Sequence, residues 1–168
     1  MKAFLRRNAP PIFILLGFGL LCLCLHLFVF HVVRIEGTSM ESGLHSGDLV
    51  LVTRFDYAGS RAPQRGDVVE CRFPGRSGVY IKRVIGLPGE TVEIREGRTW
   101  IDGIPLSESY ATGPAEDYRA ELGADEYLVL GDNRAQSYDS RAEEMGFLHA
   151  DNFLGRARLA LWPLRRIK

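Results

Sequence analysis

Hydrophobic and polar positions alternate in two different ways along this chain. From Ala9 to Val33 there is no formally charged residue and nearly every position is apolar: "APPIFILLGFGLLCLCLHLFVFHVV". As a helix, this run would span roughly 37 Å at about 1.5 Å per residue, enough to cross a bilayer core of about 30 Å. A cleavable signal peptide is the competing reading. Its apolar stretch is usually about 7–15 residues and ends at a small-x-small site, whereas this run is longer and no such site follows. The pattern therefore predicts an uncleaved anchor helix over 9–33, preceded by a short tail, 1–8.

Beyond the anchor the pattern changes to short β-rich runs between glycine turns. "DLVLVTRF", "GDVVECRF", "VYIKRVI", "EYLVLGDN" and "GRARLALW" each read as a strand. "ETVEIREGRTWIDGIPL" reads as two strands around Glu96-Gly97, with a further turn at Asp102-Gly103. Valine, isoleucine and aromatics between Gly, Pro, Asp and Asn are the expected signals. Regular spacing without long helical patterns predicts a mainly β, partly closed antiparallel domain over 34–168. The segment 107–125 has no clear periodicity and reads as a surface excursion. The basic end "PLRRIK" reads as a solvated terminus.

Charge orients this arrangement. Lys2, Arg6 and Arg7 precede the anchor with no acid among them, giving +3. The remaining 18 basic residues face all 21 acids, giving 18 − 21 = −3, a split hidden by a formal net charge of zero. Positive residues beside a first span favour the cytoplasmic side. The expectation is a single-pass protein of the cytoplasmic membrane, with its N-terminus inside and its β-domain outside. A net-acidic domain without a basic run argues against a nucleic-acid partner. Cys71 is the one cysteine beyond the anchor, and no Cys/His cluster has metal-ligand spacing, so neither an internal disulfide nor a metal or other cofactor is expected.

Eighteen of the 21 basic residues are arginine, and Lys82 is the one lysine away from the chain ends. A guanidinium keeps its proton in proteins, whereas an ammonium can be made to release one, so a site needing a base could use Lys82. On a strand Lys82 shares its face with Tyr80 and Val84, which would help to desolvate it. A lysine on a solvated strand face is the plainer alternative. Ser39 follows Val33 by six residues, at most about 20 Å of extended chain, and should lie near the membrane surface. Read alone, Thr38, Ser39 and Ser42 are equally good turn residues. His45 and His149 have no context that suggests a serine-activating base, and there is neither a G-x-S-x-G elbow nor an S-x-x-K motif. The polar cluster "GDNRAQSYDSR" contains Asp132, Ser137, Asp139 and Arg141, and Asp139 could pair with Arg83 or Arg141.

Three segments in order, "TSMESGLHSGD", "YIKRVIGLPGE" and "GDNRAQSYDSR", together resemble the bacterial signal peptidase I family. "RGDVVE" resembles an intermediate segment of that family and "WPLRRI" its closing strand. The resemblance covers most of residues 34–168. It implies a membrane-anchored serine endopeptidase that removes signal peptides from exported preproteins through a Ser-Lys dyad. It implies Ser39 as nucleophile and Lys82 as general base, with Ser137 orienting the lysine by a hydrogen bond and Asp139 with Arg83 supporting the dyad. Ile35, Met40, Leu44, Tyr80 and Ile81 match positions lining the substrate pockets, which are expected to be shallow and apolar.

The implied partners are preprotein signal peptides and the lipid bilayer, with the secretion translocon a further candidate. Two alternatives stand beside this reading: a dedicated processing peptidase, for example one maturing a conjugative pilin, and an inactive anchored binding domain. The chain also departs from the family's usual S-M-x-P-T-L, having Ser42-Gly43 in place of Pro-Thr. That exchange should loosen the nucleophile loop, because glycine has more backbone freedom to lose. The second oxyanion donor is left open between a backbone amide at Gly37, the Thr38 hydroxyl, and none.

Overall fold

The computed structural model describes residues 13–23, 29–57 and 61–167. Residues 13–23 are helical and exposed. No helix among the described residues is long and apolar enough to cross a membrane. Residues 9–12 and 24–28 of the predicted anchor lie outside the described set. One boundary of that prediction changes, because Phe30–Arg34 is strand β1, not helix. A continuous apolar run does not by itself distinguish a strand from a helix.

Ten further strands follow among the described residues: β2 (Leu49–Thr53), β3 (Val68–Cys71), β4 (Tyr80–Gly86), β5 (Thr91–Arg95), β6 (Arg98–Ile101), β7 (Ile104–Pro105), β8 (Tyr118–Glu121), β9 (Leu128–Leu130), β10 (Phe153–Trp162) and β11 (Leu164–Arg166). They form two antiparallel sheets. The larger runs β1-β2-β10-β3-β4-β9, with β11 added on β10, and the smaller runs β7-β6-β5-β8. The expected turns are present. Glu96 and Gly97 both have positive φ between β5 and β6, as do Asp102 and Gly103 between β6 and β7, which is the sign pattern of the tight I′ hairpin turn.

The larger sheet curls. His31 on β1 bonds to Glu70 on β3 at 3.0 Å, although β2 and β10 lie between those strands. Three flat strand spacings would separate them by roughly 14 Å, more than two upright side chains can bridge.

Three apolar clusters fill the interior. One, containing Ile35, Met40, Leu44, Val50, Val52 and Val68, lies under the loop that follows β1. A second packs Val69, Phe73, Val84, Val129 and Phe153. The third joins the sheets through Ile85, Leu128 and Leu130 of the larger and Val92, Ile94 and Ile101 of the smaller. Met40 and Leu44 are 2% and 1% exposed. Each is worth about 1.5–3 kcal/mol in removing its side chain from water, so they pin the loop around Ser39 from below.

Candidate active site

Ser39 lies in the loop between β1 and β2, half-buried and immediately before the deeply buried Met40. Lys82 lies on β4, opposite Val69 of β3. It is only 3% exposed, and its Nζ lies 2.8 Å from Ser39 Oγ. Burial holds the Lys82 ammonium below the ordinary lysine range. Asp139 and, more weakly, Asp132 pull it back up, while Arg141 pushes it down. Cys71 nearby stays a thiol, its pKa pushed up to about 12 by burial. The solvated-lysine alternative therefore does not describe Lys82. A neutral amine beside a serine hydroxyl can accept that hydroxyl's proton.

The polar segment after β9 holds the Ser39 loop from the other side. The Asn133 amide donates to Ser39 O at 3.0 Å, and Asn133 Nδ2 donates to Thr38 O at 3.3 Å. Thr38 Oγ1 donates to Gln136 Oε1 at 3.1 Å, so this hydroxyl is turned toward Gln136. Ser42 Oγ donates to Tyr110 O and Thr112 Oγ1 to Glu41 O, each at 3.0 Å. Arg165 of β11 donates twice to Gly43 O, at 3.0 and 3.2 Å. These bonds tie the loop to partners distant in sequence. The Ser39 amide makes no hydrogen bond among the described residues.

Two further expectations change. The buried salt bridge of Arg83 runs to Asp132, not Asp139: Nε to Oδ1 at 2.8 Å and Nη2 to Oδ2 at 2.7 Å. Both side chains are almost fully buried, and Tyr110 covers the guanidinium at 3.9 Å. Asp139 is taken by Arg141 at 2.8 and 2.9 Å, and it also accepts from the Gly131 amide at 2.9 Å. Arg83 leaves β4 on the face opposite Lys82, toward Asp132, while Arg141 is only two residues from Asp139. The second correction concerns Ser137, whose hydroxyl is buried with no partner among the described residues, so the predicted bond to Lys82 is not made.

Ser39 and Lys82 open into a cleft of about 250 Å³ that Ile35, Met40, Tyr80 and Ile81 also line. Four of the five predicted pocket residues are thus brought together. Leu44 does not line this cleft. It is core, and its remaining surface faces a neighbouring cavity of about 390 Å³ behind the loop, shared with Met40, Arg83 and Asp132. The cleft is also less apolar than expected, since Glu70 forms part of its wall. An acid within the otherwise apolar run "VVEC" was the sequence signal for it. Among the described residues no group of His, Cys, Asp and Glu could hold a metal ion.

Residues 6–162 match the family described as signal peptidase, peptidase S26. The chain belongs to that family. It is accordingly a hydrolase of the serine peptidase class. It is 38% identical to a signal peptidase I of Leptolyngbya laminosa over 158 residues, covering 88% of this chain and 76% of that protein. It is 32% identical to a signal peptidase I of Bacillus licheniformis over 161 residues, covering 88% and 85%. Among solved structures, a signal peptidase I from Enterococcus faecalis V583 superposes with a TM-score of 0.52 at 32% identity. That likeness covers 58% of this chain and 98% of the other.

Proposed function

We propose that this signal peptidase family member is a membrane-anchored endopeptidase that cuts signal peptides from exported preproteins, with Ser39 as nucleophile and Lys82 as general base. The observation that carries the reading is the 2.8 Å approach of a buried lysine to a serine at the edge of a lined cleft.

In this mechanism the neutral Lys82 amine accepts the Ser39 hydroxyl proton as Oγ attacks the scissile carbonyl. The Ser39 amide, which has no other partner among the described residues, donates to the developing oxyanion. Lys82 then returns the proton to the departing amine. The acyl-enzyme is released when Lys82 takes a proton from an attacking water and passes it to the departing Ser39 Oγ, giving a carboxylic acid, which ionises, and free Ser39. The Asp139–Arg141 pair holds the segment that carries Ser137 beside Gly131. Ile35, Met40, Tyr80 and Ile81 shape the space for a small residue before the cut.

The apolar run beginning at Ala9, with its +3 tail, supports a single span with the peptidase domain on the extracytoplasmic side. Anchoring would hold enzyme and membrane-inserted substrate on one surface and raise their effective concentration. Protease added to intact spheroplasts should then digest the domain. Protection until lysis would contradict that topology.

The test of the activity is cleavage of a purified preprotein bearing an Ala-x-Ala site. Wild type should cut after the second alanine, and Ser39→Ala should not. An equal rate for Ser39→Ala would exclude the dyad.

A further inference from the structure

Glu70 on β3 is only 6% exposed, yet it lines the cleft that holds Ser39. It stands opposite Ile81, one register position along from the Val69–Lys82 pair. Both of its carboxylate oxygens lie 3.0 Å from His31 Nε2, which reaches it across the curled sheet from β1. Among the described residues its side chain has no other hydrogen-bond partner, and His31 Nδ1 is itself buried without one.

A carboxylate offers about four acceptor positions, and a single imidazole N–H fills one of them. A buried acceptor left short of donors gains most from a ligand that brings one. An acidic ligand at the same wall would meet like charge in a poorly solvated place. Arg34 and Glu36 also line the cleft but are exposed, so solvent screens them more strongly than it screens Glu70.

We propose that Glu70, held by His31, is a specificity determinant that selects a hydrogen-bond-donating side chain at the third residue before the cut and rejects an acidic one. The favoured class is a hydroxyl, amide or ammonium group. This rests on the peptidase reading above. Side chains of an extended substrate alternate, so the first and third residues before the cut face the same wall about 7 Å apart. Met40 and Tyr80, which line the cleft with Ser39, take the small residue. Glu70 and Ile81 take the other. The subsite is therefore polar on one side and apolar on the other, which suits a narrower set of substrates than a wholly apolar pocket.

The test uses the purified full chain in detergent with a matched preprotein panel. The residue before the cut is kept as alanine, and the third residue before it is alanine, serine, asparagine, lysine, valine or aspartate. The kcat/KM ratios are compared within wild type, Glu70→Gln and Glu70→Val, so differences in active fraction cancel. Wild type should cut the serine and lysine forms at least about tenfold faster than the valine form, with aspartate slowest. Glu70→Gln should erase the lysine preference and raise the aspartate form while keeping serine and asparagine. Glu70→Val should favour valine. A wild-type preference for valine over serine and lysine would overturn the proposal. So would an unchanged lysine-to-aspartate ratio in Glu70→Gln. If wild type cut no member, the alanine form included, the peptidase reading itself would fall and this inference with it.

Discussion

The backbone N–H of Asn133 donates to the carbonyl oxygen of Ser39 at 3.0 Å, tying the segment after β9 to the loop that carries Ser39. Gly131, two residues earlier, lies so close that an added Cβ would collide with Ser39 O and with the Cβ and Oγ of Ser137. Neither a backbone carbonyl nor a serine side chain can move far enough to make room. Gly131→Ala should displace the loop, and a displacement near 1 Å can cost about a hundredfold in rate. We expect kcat/KM to fall by about that factor while circular dichroism retains the β signal.

The Arg83–Asp132 pair predicts a stability effect. Removing one partner of a buried ion pair costs about 3–5 kcal/mol. Asp132→Ala should lower unfolding stability in urea by that order. Asp132→Asn, which keeps an acceptor for the guanidinium, should lose less.

The strands were largely legible because alternation and turn residues agreed. "DLVLVT", "DVVEC" and "YIKRVI" contain β2, β3 and most of β4, and the turns at Glu96-Gly97 and Asp102-Gly103 are present. β1 was hidden because its apolar residues continue the run before it. β8 was hidden because only Ala120 of its four residues is buried, leaving no alternation to read. Composition alone assigned β11 to a solvated end, because its three residues are exposed or half-buried, whereas the resemblance of "WPLRRI" to a closing strand pointed to it. Of the candidate site, Lys82 stood out as the one interior residue able to act as a base, whereas Ser39, an equally good turn residue, was picked out only by the family resemblance; the structure brings the two together. The choice of Asp132 over Asp139 for Arg83 depends on how the segment after β9 turns, and sequence spacing does not encode that. Glu70 was passed over because an acid on a strand ordinarily faces water.

Lys82 should also carry a stability cost. The unfolded chain keeps the lysine proton up to the ordinary lysine pKa, whereas the folded protein releases it at lower pH. Between those two values the unfolded state binds more protons, so wild-type stability rises with pH. The penalty is fully present below the folded pKa and gone above the ordinary one. Lys82→Met should therefore be more stable than wild type at neutral pH. Thermal melts across pH should show that advantage shrinking as pH rises through the window.

Asp139 raises the Lys82 pKa and Arg141 lowers it. Asp139→Asn removes the raising charge and leaves the lowering one. If cleavage requires neutral Lys82, activity rises with pH through the lysine pKa. In Asp139→Asn that rising limb of kcat/KM should move to lower pH, even if the maximum falls. A pH–rate profile of both proteins on one preprotein checks the sign.

The central claim is that Lys82 activates Ser39, and covalent capture of Ser39 tests it most directly. The purified chain is incubated with an active-site acylating inhibitor, and peptide mass spectrometry locates and times the adduct. In wild type the adduct should form on Ser39. In folded Lys82→Arg it should form negligibly from pH 6 to 10, because arginine keeps the charge but cannot take the proton. An adduct on Ser39 of Lys82→Arg at the wild-type rate, or an adduct on another residue in wild type, would contradict the account.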